Sequence, residues 1–196
     1  MKRFDLKGKT AVVTGGGGVL CAGFAKLLAE EGVKVAVLDI NLEAAKACVK
    51  EITDLGGVAC AYAADVLNAA SLEETAKQVE RDLGPCDILL NGAGGNHPLA
   101  TTDKEYYVPG DLEGDTKSFF DLIPEDINFV FQLNFLGVLL PTQVFAKQML
   151  GRRDCSIVNI SSMNAYTPLT KIPAYSGAKA AVSNFTQWLA VHFSKE

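Results

Sequence analysis

The stretch Thr10–Leu20, TAVVTGGGGVL, decides the fold class. Its first half, Thr10–Thr14, is a short apolar run rich in β-branched residues, which is typical of a buried strand. Four glycines follow, and residues 20–31 have helical spacing. Glycines at a strand-to-helix junction let the backbone turn tightly, and a helix N-terminus attracts phosphate. We therefore predict a nucleotide-binding βα unit, whose cofactor-binding residues are Gly15, Gly17, Gly18, Val19 and Leu20.

Short apolar runs and longer amphipathic segments alternate along the rest of the chain. Further strands are predicted at 33–39, 58–64, 88–91 and 156–161, and further helices at 42–55, 71–83, 126–150 and 174–194. Strands separated by helices imply parallel crossovers, with helices on both faces of the sheet. The predicted fold is α/β: a Rossmann-type doubly wound parallel sheet in three α/β/α layers.

Composition limits the classes of protein that this chain can be. Its 196 residues are 48% hydrophobic, so they can bury the core of a single domain, predicted as 1–196. The net charge of −5 argues against a nucleic-acid partner, and no uninterrupted apolar run reaches the roughly 18 residues that would predict a membrane span. The five cysteines include no CxxC pair and there are two histidines, so we expect free thiols, a cytoplasmic location and no metal site.

One segment, residues 96–125, differs from the rest of the chain. It holds seven acidic residues against Lys104 and Lys117, so it carries the whole net charge of −5. A connection this long inside one domain is usually functional. We interpret it as an acidic insertion that serves as a lid or a subunit contact.

Polar and small residues follow three of the other predicted strands. Asp39 ends the second strand, 24 residues after Gly15, where a carboxylate can bind the adenosine ribose hydroxyls. No basic residue follows it, so the sequence favours NAD over NADP. Asp65 and Val66 follow the third strand, where Asp65 could bind adenine or cap a turn. After the fourth strand, the residues predicted to contact the cofactor are Asn91, Gly92 and Ala93.

The last predicted helix carries a tyrosine and a lysine one turn apart. Tyr175 and Lys179 therefore project from the same face. A lysine cation beside a phenol favours the phenolate, and such a tyrosine can pass a proton to or from a carbonyl or alcohol oxygen. Ser162 follows the fifth strand, thirteen residues before Tyr175, and could bring its hydroxyl beside the phenol.

Taken together, the glycine loop, Asp39, Asp65, Asn91-Gly92-Ala93-Gly94, Asn134, Ser162 and Tyr175-Ser176-Gly177-Ala178-Lys179 resemble the short-chain dehydrogenase/reductase family over essentially the whole chain. The resemblance implies that Tyr175 is the general acid/base and that Ser162 polarises the substrate oxygen. It also implies that Lys179 supports Tyr175 and holds the nicotinamide ribose, and that Asn134 supports a water in the proton relay. A homodimer or homotetramer is what the family implies.

The chain departs from the family pattern at two places. The usual TGxxxGxG loop would place glycines at 15, 19 and 21, whereas this chain has Val19 and Cys21, with Gly18 one place early. The acidic insertion is also longer than is typical. Family members usually continue with two more strands and a substrate-covering segment after the helix that ends near Glu196, so we expect these last strands to be missing from the sequence.

The substrate is the least determined feature. Residues 91–103 (NGAGGNHPLATTD) and 156–193 look like the D-mannonate oxidoreductase (fructuronate reductase) subgroup of this family. That resemblance implies reduction of the ketone of a sugar acid, D-fructuronate, to D-mannonate with NADH. Lys171, with His97, Asn164 and Ser162, is the predicted substrate-binding set. The alternatives are a gluconate-type or polyol dehydrogenase, or a nucleotide-binding fragment without turnover.

Overall fold

Five parallel strands form one sheet in this computed structural model, which describes residues 5–196. The order across the sheet is β3-β2-β1-β4-β5. The strands are β1 (Thr10–Thr14), β2 (Lys34–Asp39), β3 (Val58–Ala63), β4 (Ile88–Asn91) and β5 (Ser156–Asn159). The chain order reverses on the two sides of β1, and ligands of doubly wound folds bind at this switch point, outside the carboxyl ends of the strands.

The sheet belongs to the first of two units into which the chain divides: residues up to Ala93, Gly137–Ile160 and Lys195–Glu196. Its helices are α1 (Val19–Glu30), α2 (Leu42–Asp54), α3 (Ala69–Leu83) and α5 (Gly137–Phe145).

Successive residues of β1 build the two cores of this unit. Val12 packs in a cluster with residues of α3 and α5, whereas Val13 packs in a second cluster with residues of α1 and α2. This is the alternation that a strand imposes on its side chains. All five residues of β1 are buried, which explains why its sequence is a continuous short run of β-branched and small residues. The three-layer α/β/α prediction is confirmed.

The second unit comprises Gly94–Leu136 and Ser161–Ser194. It contains α4 (Pro124–Phe131), a π-helical turn at Gln132–Leu136, α6 (Pro173–His192) and short 3₁₀ turns. Its small core joins Ala100, Val130 and Ala174, with Ile127 and Tyr175 packed against them. The prediction of a single domain stays a prediction.

Two predicted helices differ from those in the structure. The helix predicted at 71–83 begins two residues earlier, at Ala69, because the Asn68 side chain caps it by accepting a hydrogen bond from the Ser71 amide at 3.1 Å. The long helix predicted at 126–150 is instead interrupted by the π-helical turn. The stretch Pro124–Gln148 is long and apolar enough to cross a membrane by length and composition, but a core helix passes the same test and nearly half of its apolar window is buried.

Candidate active site

The glycine loop joins β1 to α1 in a turn that no larger residue could make. Gly15 has a φ of +64°, a conformation that glycine adopts without strain, and a Cβ there would lie 2.9 Å from Ala93 Cα. A Cβ on Gly17 would lie 2.6 Å from the Ala44 Cβ. Gly18 caps α1 without a side-chain hydrogen bond, so the cap residue leaves the first amides of the helix, at Val19 and Leu20, available to a ligand. The loop therefore offers an anion site at the switch point of the sheet.

The Asp39 carboxylate lies against this loop, at the end of β2. Its Oδ2 accepts a hydrogen bond from the Gly17 amide at 3.0 Å, and its Oδ1 accepts one from the Asn41 amide at 2.9 Å. The Gly17 amide thus orients Asp39, whereas we expected it to contact the cofactor. The next residue, Ile40, is apolar and exposed. A fixed carboxylate with no cation beside it in sequence suits ribose hydroxyls and disfavours a 2′-phosphate.

Asp65 caps a turn, which was one of the two roles considered from the sequence. Its Oδ1 accepts a hydrogen bond from the Leu67 amide at 2.9 Å. Val66 is buried. The predicted contact between Asp65 and adenine stays a prediction.

Asn91 ties secondary-structure elements together instead of offering its amide to a cofactor. Its side chain is fully buried, and Nδ2 donates to Thr142 Oγ1 and to Asn159 Oδ1, both at 2.9 Å. The Asn91 side chain is thus used within the fold, and the predicted contact of this residue with the cofactor stays a prediction. The amides of Gly92 and Ala93 both donate to Thr14 Oγ1, at 3.1 and 3.3 Å, so Thr14 holds the loop after β4 against the end of β1.

The departure at Cys21 is explained by Gly92. The Cys21 thiol fills the place where the family pattern has no side chain, and a Cβ on Gly92 would lie 2.1 Å from the Cys21 sulfur. α1 therefore still approaches the sheet closely. The residue that lacks a side chain at this contact is Gly92, after β4, and not residue 21 of α1. Sequence reasoning missed both Thr14 and this pairing.

Tyr175 and Lys179 lie on one face of α6, in the second unit, as the spacing predicts. The Lys179 Nζ is 5.7 Å from the centre of the Tyr175 ring, and the lysine is only 3% exposed whereas the tyrosine is half-buried. The ammonium group of Lys179 thus lies beside the Tyr175 ring. The pair therefore has the arrangement of an acid/base group with its electrostatic support.

Ser162 stands at the start of a short 3₁₀ turn, Met163–Ala165, against which α6 packs. Its Oγ accepts a hydrogen bond from the Asn164 amide at 3.2 Å. The hydroxyl proton of Ser162 is therefore left to donate to another oxygen. A side chain that polarises a carbonyl must donate a hydrogen bond to its oxygen, as this hydroxyl can.

Asn134 is fully buried in the π-helical turn. Its Nδ2 donates to Gly95 O at 2.7 Å and to Val130 O at 2.8 Å, and its Oδ1 accepts from the Gly95 amide at 3.1 Å. A Cβ on Gly94 would lie 2.7 Å from the Asn134 Oδ1 and 3.3 Å from the Lys179 Nζ. Asn134 thus positions the Gly94-Gly95 backbone beside Lys179. Its support of a relay water stays a prediction.

Three of the predicted substrate residues have different surroundings. Lys171 has a φ of +73°, unusual for a residue with a side chain, and its carbonyl accepts from the Thr102 amide at 2.9 Å. Asn164 is buried, and its Oδ1 has no hydrogen-bond partner. His97 caps a turn, since its Nδ1 accepts from the Leu99 amide at 3.3 Å while its ring contacts Phe129 edge-on. A substrate-binding role for His97 therefore has the weakest structural support of the three.

The glycine loop and the Tyr175–Lys179 pair both lie in a stretch that matches one protein family. The model of the short chain dehydrogenase family matches residues 9–196. An uncharacterized oxidoreductase of Haemophilus influenzae is 59% identical over 191 residues, which are 97% of this chain and 67% of that protein. The chain thus spans about two thirds of the length of this relative.

Solved structures agree in fold and in cofactor. The NAD-bound crystal structure of a proposed D-mannonate oxidoreductase from Haemophilus is 59% identical, with a TM-score of 0.95 over 97% of this chain and 68% of that one. An NAD⁺-bound xylitol dehydrogenase is 28% identical, with a TM-score of 0.83 over 97% of this chain and 66% of that one.

Proposed function

Since the chain belongs to the short-chain dehydrogenase family, in which it is an NAD-dependent oxidoreductase acting on CH–OH groups, we propose that its substrate pair is a sugar acid, D-fructuronate and D-mannonate. The ketone of the first would be reduced to the secondary alcohol of the second. The likeness to the proposed D-mannonate oxidoreductase of Haemophilus supports this substrate, as does the ammonium group of Lys171 close to Tyr175 in sequence.

The residues of the first unit fit NAD. Gly15 and Gly92 leave room that a Cβ would fill, and the Asp39 carboxylate is fixed beside the loop. The amides at the start of α1 would bind the pyrophosphate, and Asp39 the adenosine ribose. Bound NAD supplies the hydride transfer, a two-electron step for which the protein needs no redox group of its own.

The residues of the second unit perform the proton transfer. Tyr175 donates its phenol proton to the substrate oxygen during reduction and accepts it during oxidation. Ser162 donates a hydrogen bond to the same oxygen, because its hydroxyl proton has no other acceptor within residues 5–196. Lys179 stabilises the phenolate that remains, and Asn134 keeps the Gly94-Gly95 backbone in place.

A substrate panel tests the proposal. We expect NADH to be oxidised with D-fructuronate, and NAD to be reduced with D-mannonate, at higher kcat/KM than with neutral ketoses and polyols of the same chain length. Measurement of NADH absorbance with purified protein decides it. Preference for a neutral substrate would reject the sugar-acid assignment.

A polyol dehydrogenase is the second candidate. The likeness to the NAD⁺-bound xylitol dehydrogenase and to a sorbitol dehydrogenase of Cereibacter sphaeroides, 33% identical over 189 residues, favours it. Oxidation of xylitol or sorbitol at a kcat/KM above that of D-mannonate would establish this alternative.

We also propose a cytoplasmic homodimer or homotetramer. Support for self-association comes from α6, where Trp188 is 54% exposed and Val191 is 75% exposed. Such exposed apolar side chains are common at contacts between subunits. Light scattering after gel filtration would give the mass, and Trp188→Glu would be expected to lower it if this face is the contact.

A further inference from the structure

The acidic insertion encloses a cavity in the second unit. It has a volume of about 220 Å³, and its walls include Lys104, Tyr106, Tyr107 and Lys117 from the insertion, together with Lys171. Pockets for drug-sized ligands measure roughly 300–1,000 Å³, so this one suits a small metabolite. Pro173, in the helical turn that carries Tyr175, also lines it.

Three of the seven acidic residues of the insertion accept hydrogen bonds from its own backbone amides. Asp103 accepts a hydrogen bond from the Lys117 amide at 2.8 Å, and Asp121 accepts one from the Ser118 amide at 2.8 Å. Asp111 accepts from the Val108 amide at 2.9 Å. The insertion has little regular secondary structure, so carboxylates satisfy amides that a helix or a sheet would otherwise pair.

The cavity therefore has the opposite charge to the segment that forms it. Three lysines line it against two carboxylates, Glu105 and Asp111, which leaves one net positive charge. Lys104 is paired with Asp111 at 2.5 Å, and the Lys117 Nζ donates to Leu99 O. Within residues 5–196, the Lys171 side chain has no hydrogen bond or ion pair. Neither Lys117 nor Lys171 therefore has a carboxylate partner, and of the three lysines only Lys171 has an ammonium group without any hydrogen bond among these residues.

The insertion also fixes the position of Lys171. The Thr102 amide, at the base of the insertion, donates to the carbonyl of Lys171, whose φ of +73° is costly for a residue with a Cβ. Strained backbone of this kind concentrates at binding and catalytic sites. Next to it, Tyr107 and Phe120 make an edge-to-face contact, and the hydroxyls of Tyr106 and Tyr107 form no hydrogen bond within the described residues.

We propose that this cavity is the subsite for the carboxylate end of the substrate, with Lys171 as the carboxylate ligand and the tyrosine hydroxyls of the insertion as partners of the polyhydroxy chain. This inference rests on the proposed function and deepens it. The insertion then determines substrate specificity, which replaces its interpretation as a lid or a subunit contact. A positive cavity bordered by hydroxyls and aromatic rings fits a small anion that carries hydroxyl groups.

Kinetics of Lys171 variants test the subsite. For Lys171→Gln we expect KM for D-fructuronate to rise about 10- to 100-fold, with kcat changed by less than about 3-fold, because a charge-assisted hydrogen bond is lost. KM for D-fructose, which lacks the carboxylate, should not change. Lys171→Arg should restore most of the affinity. Lys147→Gln, which removes an exposed lysine in the first unit, is the matched control.

Lys171→Gly separates charge from backbone conformation. Glycine relieves the strain at a φ of +73° but also removes the ammonium group. We expect it to raise KM as much as Lys171→Gln does. A normal KM in Lys171→Gly would instead assign the effect to the backbone and overturn the proposal. Tyr106→Phe with Tyr107→Phe should raise KM about 5-fold, the loss expected for neutral hydrogen bonds.

Binding measurements distinguish this proposal from the proposed function. In the presence of NADH, titration calorimetry with D-mannonate should give a Kd that rises at least about 10-fold in Lys171→Gln. If sugar acids are turned over but Lys171→Gln changes neither KM nor Kd, the subsite is wrong and the proposed function stands. If sugar acids bind through Lys171 without being turned over, the subsite stands and the proposed function is wrong.

Discussion

The glycine loop and the acidic insertion satisfy the hydrogen bonds of their backbone amides in opposite ways. Both are irregular segments whose amides lack the partners that a helix or a sheet provides. The glycine loop omits its own side chains, and a residue outside it, Asp39, accepts the hydrogen bond of the Gly17 amide. The insertion instead supplies its own acceptors, Asp103, Asp111 and Asp121.

This difference separates general from specific functions. A loop without side chains presents backbone amides, which bind the phosphates that all dinucleotides share. A loop built on side-chain acceptors can vary its remaining residues, so it can form a pocket for one substrate. The first unit therefore contains the cofactor loop, and the second contains the acid/base pair together with the insertion, in which this chain departs from the family.

The largest effect is expected from Tyr175→Phe, which separates chemistry from cofactor binding. Removing the phenol hydroxyl removes the proton donor, so kcat should fall about 10³-fold. The Kd for NADH, measured by its fluorescence, should change by less than about 3-fold, because the loop of the first unit is untouched. Retention of activity would show that Tyr175 is not the general acid/base.

The Cys21–Gly92 pairing can be broken and then restored. Gly92→Ala places a Cβ on the Cys21 sulfur and should reduce the free energy of unfolding by about 1–3 kcal/mol. Cys21→Ala removes the clash, so the double variant should be at least ~1 kcal/mol more stable than the sum of the single variants predicts. Urea unfolding measures each value. If the losses in free energy of unfolding are additive in the double variant, the Cys21 side chain and a Cβ at position 92 do not compete for the same space.

The sequence predicts the first unit well because its signals are local. The β-branched run of β1 and the glycines after it depend on burial and on steric space, and both are visible in residue type. The hydrogen bonds of Thr14 and Asn91 were not foreseen because their partners, Gly92 and Asn159, are 78 and 68 residues away in sequence. Side-chain hydrogen bonds over that distance depend on the finished fold.

The second unit was predicted only where one helix turn sets the geometry. Tyr175 and Lys179 are fixed by their spacing on α6. The insertion has no periodic pattern, and its length and acidic composition led only to an interpretation as a lid or a subunit contact. The carboxylates that accept backbone amides cannot be distinguished in sequence from those that face solvent, so the positive lining of the cavity was hidden.

The role of the Asp39 carboxylate in cofactor binding can be tested in the same way. Asp39→Ala removes the ribose acceptor and frees the Gly17 amide, so Kd for NAD should rise about 10-fold, and the preference for NAD over NADP should fall by at least as much. Glu43→Gln, an exposed charge at the start of α2, should change neither value. Fluorescence titration with both reduced cofactors checks this. An unchanged preference would remove Asp39 from cofactor selection.

The smallest effect is expected where an insertion carboxylate loses only its charge. The hydrogen bond from Lys104 holds the pKa of Asp111 below its ordinary value of 3.8, with the Val108 amide as the second cause. Because the pKa of Asp111 is lower in the folded state, its carboxylate stabilises the fold at pH values above 3.8. This stabilisation is lost as the pH falls through the pKa of the folded state.

Asp111→Asn can still accept from the Val108 amide but loses the ion pair with Lys104. The Val108 amide should therefore exchange its hydrogen about 5- to 10-fold faster at neutral pH, with the midpoint of global unfolding unchanged. The pKa of Asp111 is lowered in the folded protein, so this carboxylate stays ionised between pH values of about 5 and 8. Exchange of the Val108 amide in the unmodified protein should therefore stay constant over this range, once the intrinsic rate is corrected. A shift of the global midpoint would mean that the insertion supports the whole second unit, and that it is not a locally folded segment free to vary with the substrate.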